Sequence, residues 1–340
     1  MVFRLIGFLW RDQALPRRVT PGETKNGGIT MKTLQAVVMA CLILFVFSLP
    51  GWAQQTLREE RTFKTAAVPT VSVSDVSGTV KISGDKGSEV RVIAEKTDPK
   101  IEIFMEQTGN RVRIEVRHPE LSNSNLSRWF GKSDSSGNVN IQITMPETGN
   151  LEARSVSGDI TVDKLQGDLQ VKTVSGDLKL RQLANRITAE TVSGDMQIEQ
   201  MRGEMTLKSV SGDLTAQELE GRLTMSSVSG DMHIRRSNLS FASIEATSGD
   251  LGVETPLAPN GSYTLNSHSG DITLSVPKNS SFRISAKTFS GDFHSEFTLP
   301  VTAEGQTERH SGRNITAKFG AGDADLRLRT FSGDVRLVAQ

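Results

Sequence analysis

Apolar and polar residues alternate over short stretches along most of the chain, and this alternation repeats every eighteen residues. One unit places apolar residues at Leu178, Leu180 and Leu183, and the same spacing returns eighteen residues later. Strict alternation over about four residues, bounded by glycine-containing turns, is typical of half-buried strands. No helical period fits the pattern, so the sequence predicts an all-β chain.

The tripeptide Ser-Gly-Asp marks each repeat. Its aspartates follow one another at steps of eighteen and then at wider steps: Asp159, Asp177, Asp195, Asp213, Asp231, Asp250, Asp271, Asp292 and Asp334. The last step is twice as long as the one before, and its midpoint holds Ser311-Gly312-Arg313. We interpret this tripeptide as a degenerate copy that keeps the register.

Short strands at such a period cannot bury a face alone, so neighbouring units must stack into one core. The predicted fold is therefore a parallel β-solenoid (β-helix) with an N-terminal β-rich cap. Stacking places equal positions in files with the ~4.8 Å spacing of paired strands. One outward file, Asp168, Arg186, Glu204 and Arg222, alternates in charge, as adjacent strands favour.

The repeat also divides the chain. Residues 54–150 alternate without the eighteen-residue register and are predicted to form the cap, interrupted by a polar loop at 121–138. Residues 151–340 are predicted to be solenoid units, first of eighteen residues and then of about 21. Terminal units of a repeat array must differ from the rest to shield its first layer.

The segment 31–53 has the parts of a secretory signal peptide. Met31 and Lys32 precede an apolar stretch over 36–49, and small residues end at Ala53. We expect cleavage after Ala53 and export to the periplasm or the medium. Residues 1–30 are predicted to be a non-native upstream extension, with translation starting at Met31.

Two other interpretations of this segment stay open. An uncleaved signal would be a membrane anchor, although its apolar stretch is shorter than the ~20 residues that a spanning helix needs. A lipoprotein would use Val38-Met39-Ala40-Cys41, but the apolar stretch continues beyond Cys41. Contact with a membrane is therefore expected only through an uncleaved signal.

Charge and cysteine content narrow the function classes. The chain has 39 basic and 39 acidic residues, a balance that gives no electrostatic footprint for nucleic acid. Its one cysteine, Cys41, lies in the apolar stretch of the signal. The body thus offers no thiol for disulfides, metal binding or catalysis, and we expect no cofactor.

The repeated turns are predicted to be structural. Gly158, Gly176, Gly194, Gly212 and Gly230 would take positive φ, while the aspartates accept hydrogen bonds from turn amides. The alternative is a column of cation sites at Asp159, Asp177, Asp195, Asp213 and Asp231. The turn lacks the denser glycine pattern of calcium-binding repeats, so we expect no metal.

The polar loop holds the best candidate for a binding residue. Trp129 and Phe130 stand side by side there, and Trp129 is the only tryptophan after the signal. The pair either folds over the end of the core or forms an exposed aromatic anchor for a partner.

No catalytic residue is predicted. His118, His233, His268, His294 and His310 are scattered without metal-ligand spacing. His268-Ser269-Gly270-Asp271 joins three residue types of a catalytic triad, but neighbouring strand positions point to opposite faces. Gly320-Ala-Gly-Asp323-Ala-Asp325 could hold a cation, although a turn explains it. A β-helix carbohydrate-active enzyme, a lyase or hydrolase, remains the alternative function.

Several motifs together resemble a known family. Val-Ser-Gly-Thr-Val-Lys-Ile at 76–82, Ile143-Thr-Met-Pro146 and the Ser-Val-Ser-Gly-Asp units look like the bacterial adhesin-like β-strand-repeat family, a domain of unknown function. The resemblance covers roughly residues 65–340. It implies an envelope-exposed β-solenoid with no catalytic residues, acting as a scaffold, sensor or adhesin-like module. The expected partner is an unidentified envelope protein or glycan.

Overall fold

The computed structural model describes residues 56–117, 138–299 and 313–340. These residues form 21 strands of one sheet and contain no helix, which confirms the predicted all-β class. The strands are β1 (Leu57–Lys64), β2 (Thr70–Asp85), β3 (Glu89–Lys96), β4 (Glu102–Thr108), β5 (Arg111–Arg117), β6 (Val139–Pro146), β7 (Asn150–Leu165), β8 (Leu169–Ser175), β9 (Leu178–Ser193), β10 (Met196–Ser211), β11 (Leu214–Ser229), β12 (Met232–Arg235), β13 (Asn238–Ser248), β14 (Leu251–Glu254), β15 (Ser262–Ser269), β16 (Ile272–Val276), β17 (Phe282–Ser290), β18 (Phe293–Ser295), β19 (Arg313–Phe319), β20 (Ala324–Ser332) and β21 (Val335–Ala339).

The middle of the chain pairs in parallel with an eighteen-residue register. Along its length, β10 pairs with β9 on one side and β11 on the other, so that Met196 lies between Leu178 and Leu214. Apolar positions therefore fall in common files, and those predicted to be inward are buried, Leu178, Leu180 and Leu183 among them. One apolar core runs through all the paired units.

Departures from the period are taken up locally. The step from Asp231 to Asp250 has one extra residue, and the register between β11 and β13 shifts there, with Leu239 and Phe241 opposite Gly221 and Arg222. The longer units after Asp250 add a loop at 255–261 between β14 and β15, where Pro256 and Pro259 lie. The files continue across these units because the added residues lie in the loops and not in the strands.

At the N-terminal end, the order of strands in the stack differs from the order in the sequence. β2 lies between β7 on one side and both β5 and β6 on the other, all in parallel. Ser77 and Gly78 stand opposite Ser157 and Gly158, so β2 shares the files of the repeat although it is 80 residues away. Antiparallel strands follow outside it: β4 on β5, β3 on β6, and β1 on β3.

The C-terminal end has the same kind of inversion. β20 pairs in parallel with both β15 and β17, and β21 with both β16 and β18. The unit of Asp334 is thus inserted between the units of Asp271 and Asp292. β19 then pairs antiparallel with β17 at the outer edge.

This arrangement corrects one sequence interpretation. Arg313 begins β19 and stands opposite Thr288 in an antiparallel pair, so it does not occupy the aspartate position of a parallel unit. Ser311-Gly312-Arg313 is therefore not a degenerate copy in register, and the doubled step between Asp292 and Asp334 instead leaves chain for β19 and the return into the stack.

The other predicted segments and boundaries of the chain remain predictions. The upstream extension 1–30, the signal 31–53 and the polar loop 121–138, apart from its last residue, lie outside the described residues. The boundary at residue 150 between cap and repeats also stays a prediction. The described residues, 56–117, 138–299 and 313–340, belong to one compact unit. No helix able to span a membrane occurs among them.

Candidate binding surfaces

The Ser-Gly-Asp turns stack into a continuous hydrogen-bonded file. The amide of Asp177 donates to Asp159 Oδ1 at 3.0 Å, and the amide of Asp195 donates to Asp177 Oδ1 at 3.0 Å. The pattern repeats through Asp213, Asp231, Asp250, Asp271, Asp334 and Asp292, following the order of the stack. Each carboxylate therefore fixes the next turn, which offsets the repulsion between exposed charges about 4.8 Å apart.

The glycines of these turns are required by close approach between units. A Cβ on Gly194 or Gly212 would overlap the carbonyl oxygen of the glycine in the preceding unit. Four of the five predicted turn glycines, Gly176, Gly194, Gly212 and Gly230, have positive φ, whereas Gly158 does not. Both constraints exclude an L side chain from the middle of the file.

At the candidate cation positions, one oxygen of each carboxylate already accepts a backbone hydrogen bond. In Asp159, Asp177, Asp195, Asp213 and Asp231, Oδ1 accepts an amide of the next unit. Within the described residues, no group of three or more His, Cys, Asp or Glu side chains is placed to hold a metal ion.

One member of the file has a perturbed pKa. The Asp334 amide and then the Arg336 guanidinium, whose Nη1 lies 2.8 Å from Asp271 Oδ2, hold the pKa of the Asp271 carboxyl below its ordinary value. Arg336 also reaches Asp334 Oδ2 at 3.1 Å. This arginine neutralises part of the acidic file where the inserted unit meets its neighbour.

Between the turns, the outward positions form flat polar files. One file consists of hydroxyl side chains that pair in register from strand to strand and are at least partly exposed: Thr188, Thr206, Thr224, Ser243 and Thr264. The face beyond the Asp corner carries a second file, in which Lys179, Gln197 and Thr215 stand opposite one another. Each face thus presents equal positions at the strand spacing.

The predicted charge alternation is present beside the hydroxyl file. Arg186 lies 3.9 Å from Asp168 and 4.0 Å from Glu204, and the three side chains are more than half exposed. Arg222, next in this file, instead covers the ring of Phe241 at 4.2 Å. Such exposed pairs contribute little to stability, so they mainly set the pattern of charge on the surface.

A polar groove runs across the middle units, at the corner where Gln182, Gln200 and Glu218 lie. Gln182 Nε2 donates to Gln200 Oε1 at 3.1 Å, Gln200 Nε2 donates to Glu218 Oε2 at 2.9 Å, and Arg236 lies 3.4 Å from Glu218. These residues take positive φ, as does Lys164 before them. They border an open groove of about 640 Å³ that Arg202, Glu220 and Asn238 also line.

The histidines and the acidic turn do not converge into one site. The His268 ring stacks on Phe331 at 5.1 Å, whereas Asp271 is engaged by Asp334 and Arg336. His233 and His294 lie on β12 and β18, and His118 and His310 fall outside the described residues. In the Gly320–Asp325 segment, Asp325 pairs with Arg283 at 2.9 Å.

The aromatic pair Trp129 and Phe130 also lies outside the described residues. Its assignment, as a plug of the core or as an exposed anchor, therefore stays a prediction.

The described chain is thus an all-β repeat protein with shared files of side chains and one continuous core. Residues 75–338 match the family model described as Toastrack DUF4097, so the chain belongs to this family. The resemblance to adhesin-like repeat domains agrees with that assignment at the level of the family. No curated protein matches the chain.

Several solved structures are similar over most of their length. A "putative lipid binding protein" from Parabacteroides distasonis has 11% identity and a TM-score of 0.41, covering 83% of this chain and 96% of that one. A "putative adhesin" from Bacteroides fragilis has 12% identity and a TM-score of 0.40, covering 83% and 97%. A "putative cell adhesion protein" from Clostridium sporogenes has 12% identity and a TM-score of 0.28, covering 84% and 100%.

Proposed function

We propose that this chain is an exported, non-enzymatic protein of the cell envelope that binds a partner through the regular faces of a β-solenoid. The partner would be an envelope protein or glycan, and the chain would act as a scaffold or adhesin-like module. The observation that carries the proposal is the parallel register of i with i+18, which repeats the same outward side chains from unit to unit.

The solenoid itself is part of this proposal. Its support is the continuity of the files: β9, β10 and β11 pair along their whole lengths, and their inward residues form one core. Each unit returns to the same position one strand spacing further on. Repeats stacked in this way build long surfaces that are suited to extended partners.

The hydroxyl file is the part of the surface best suited to a glycan. Thr188, Thr206, Thr224, Ser243 and Thr264 can each donate and accept a hydrogen bond. Charged files flank them, with Arg186 and Glu204 on one side and Glu190 and Lys208 on the other. A linear polysaccharide lying along this face would meet the same groups at every unit.

Binding and catalysis can be separated with matched variants. Purified protein is tested on a panel of immobilised envelope polysaccharides and on envelope proteins, and its variants Thr188→Glu/Thr206→Glu and Gln197→Glu/Thr215→Glu are compared. We expect Thr188→Glu/Thr206→Glu to lose about tenfold or more in binding and Gln197→Glu/Thr215→Glu to retain it, because the hydroxyl face would hold the partner.

The same polysaccharides are then incubated with the protein and assayed for released products. Turnover would contradict the proposed non-enzymatic role, and equal binding by both pairs would contradict recognition through a regular face.

Export rests on the segment 31–53 and is tested separately. The protein purified from the envelope of a bacterial host is expected to begin just after Ala53, as measured by N-terminal sequencing and intact mass. A product that begins at Met1 or Met31 and stays in the cytoplasm would refute export.

A further inference from the structure

One corner of the stack exposes a line of mostly apolar side chains. The residue directly before each Ser-Gly-Asp turn of the middle units is a valine that is 46–50% exposed, and Phe331 and Phe289 hold the equivalent position at the C-terminal end with 48% and 50% exposed. We call this line the corner ridge. In the order of the stack it consists of Val156, Val174, Val192, Val210, Val228, Thr247, His268, Phe331 and Phe289.

The rings at the end of the corner ridge continue the line without a gap. His268 stacks on Phe331 at 5.1 Å, and Phe331 stacks on Phe289 at 4.7 Å, with interplanar angles of 11° and 6°. The rings cover one another's faces and direct their edges outward. The ridge is therefore a narrow strip that is apolar except at Thr247 and His268.

Small hydroxyl residues precede the ridge residues and take the inward position. Ser155, Thr173, Thr191 and Ser209 are buried, and the equivalent Ser227, Thr330 and Thr288 donate hydrogen bonds to turn carbonyls at 3.0–3.1 Å. The turn thus takes a hydroxyl on its inner side and leaves the larger apolar side chain of the next residue exposed. A contiguous row of exposed apolar side chains is typical of a surface that binds another protein.

The strips beside the corner ridge have opposite charge. On one side lie the residues two positions before each ridge residue: Arg154, Lys172, Glu190, Lys208, Ser226, Glu245, Asn266, Arg329 and Lys287. On the other side runs the file of turn aspartates, one in every unit from Asp159 to Asp292. The first strip has five cations and two anions, whereas the second holds nine carboxylates.

A partner that carries the same basic and acidic strips on either side of an apolar ridge would complement this difference in charge. We infer that the corner ridge docks on the corner ridge of a second copy of this chain, with the two stacks parallel and a two-fold axis along the stacking direction. Such an axis places each unit opposite its own counterpart and the basic strip opposite the aspartates. Arg154 then faces Asp159 of the other copy, and Lys208 faces Asp213. With the stacks antiparallel, the two aspartate files would face each other instead.

The extent of the ridge sets the strength of the contact. Nine units at ~4.8 Å give a strip about 40 Å long, and with its charged borders it would cover roughly 600 Å² on each copy. Specific interfaces typically bury about 800 Å² on each partner. The dimer is therefore reversible, and its population depends on protein concentration.

Sedimentation equilibrium of the purified protein tests the inference directly. We expect a monomer–dimer equilibrium that weakens by about tenfold or more in Val192→Asp/Val210→Asp, because two charges enter the apolar strip. Thr215→Asp on another face is the matched control and should dimerise like the wild type. If the aspartate pair unfolds, as judged by circular dichroism, Val192→Ser/Val210→Ser replaces it with the same expected direction.

Two charge changes on one strip have opposite expected signs. Glu190 faces Asp195 of the other copy, so Glu190→Lys should tighten the dimer, whereas Lys208→Glu should weaken it. Glu190 also pairs with Lys172 of its own copy at 2.7 Å, but this contact is partly exposed and its loss should cost little stability, so neither change should alter the fold. A monomer at every concentration, or equal effects of both changes, would overturn the inference.

Disulfide trapping tests the orientation. In a Cys41→Ser background, Val174→Cys, Val192→Cys and Val210→Cys are oxidised one at a time. Parallel stacks bring each of the three close to its own copy, so all three should crosslink. Antiparallel stacks would allow at most one of them to do so, and that result would contradict the two-fold axis along the stack.

Discussion

The middle of the stack and its two ends are built by different rules. In β9 to β11, each strand pairs with strands eighteen residues away on either side, so the order in the sequence is the order in space. At the ends, β2 pairs with β7 across 80 residues, and β20 pairs with β15 across 63. In both terminal regions one parallel unit is inserted between units that come together in the sequence, and antiparallel strands lie outside it.

The difference shows what a repeat can and cannot specify. Identical units must stack, because each lacks the core to fold alone. An outermost unit would leave its backbone groups unpaired, and such an open edge invites pairing with other chains. The antiparallel strands β4, β3, β1 and β19 cover those edges. Local repetition therefore builds the middle, whereas long-range pairing completes the ends.

The largest expected effect comes from removing the inserted unit. Deleting residues 320–340 takes away the buried residues Ala324, Leu326, Leu328, Val335 and Leu337. It also separates β15 and β16 from β17 and β18. Each lost Leu or Val side chain removes about 1.5–3 kcal/mol of burial, so the end of the stack should unfold. Hydrogen exchange read by mass spectrometry should show lost protection in β17 while β9 to β11 keep theirs.

Deleting one middle unit is the matched control. Removal of residues 196–213 joins Asp195 to Leu214 and preserves both the turn and the register. The shortened protein should keep one cooperative unfolding transition. Protection of β17 in the C-terminal deletion equal to that in the full chain would show that the insertion does not hold the end together.

A single glycine in the middle should matter more than one at an end. Gly212→Val brings a β-branched side chain to a φ of +119° and against the carbonyl of Gly194, so we expect a loss of about 3 kcal/mol or more. Gly109, in the turn between β4 and β5, has a φ of +60° and open space around its Cα. Gly109→Ala should cost only about 1–2 kcal/mol in the free energy of unfolding, measured with denaturant. Equal losses would contradict the role of close approach.

These positions show how far the sequence alone reaches. Eighteen-residue steps between the aspartates correctly indicated which residues share a file, and the alternation identified Leu178, Leu180 and Leu183 as inward. The insertions of β2 and β20 were not predictable, because a spacing of 80 or 63 residues leaves no local periodic signal. The interpretation of Ser311-Gly312-Arg313 was wrong because it assumed that the order of units in the stack follows the order in the sequence.

The sequence indicated the corner ridge but not the backbone conformation of the polar groove. A valine precedes each of the five Ser-Gly-Asp turns from Asp159 to Asp231, so the corner ridge was visible in the sequence. Alternation alone, however, does not decide whether that valine points inward or outward. Positive φ at Gln182, Gln200 and Glu218 had no signal, since these residue types do not favour that conformation. Only the geometry of the corner requires it.

The Asp271–Arg336 contact should make the C-terminal end sensitive to acid. Because the pKa of Asp271 is lowered on folding, its contribution is complete above the unfolded value near 3.8 and is lost as pH falls through the lower folded value. Stability of Asp271→Asn, measured by thermal unfolding between about pH 5 and pH 2, should therefore depend less on pH than that of the wild type. Arg336→Gln should remove part of the same dependence, and an unchanged acid profile in both variants would contradict this assignment.

The smallest effect is expected from the exposed charges of the middle. Arg186 and Glu204 approach to 4.0 Å with side chains that are 69% and 65% exposed. A double-mutant cycle with Arg186→Ala and Glu204→Ala should give a coupling of about 0.5 kcal/mol or less, and less still at high salt. A coupling several times larger would mean that this file stabilises the stack and does not only pattern its surface.

The inserted unit also fixes a sequence of events in time. Residues 324–339 leave the ribosome after residues 282–295, yet they lie on the inner side of them, against β15 and β16. A chain that emerges from its N-terminus cannot complete this region layer by layer, because the inner layer is made after the outer one. The strands β17 and β18 must wait, or separate again from β15 and β16, until residues 324–339 have been synthesised.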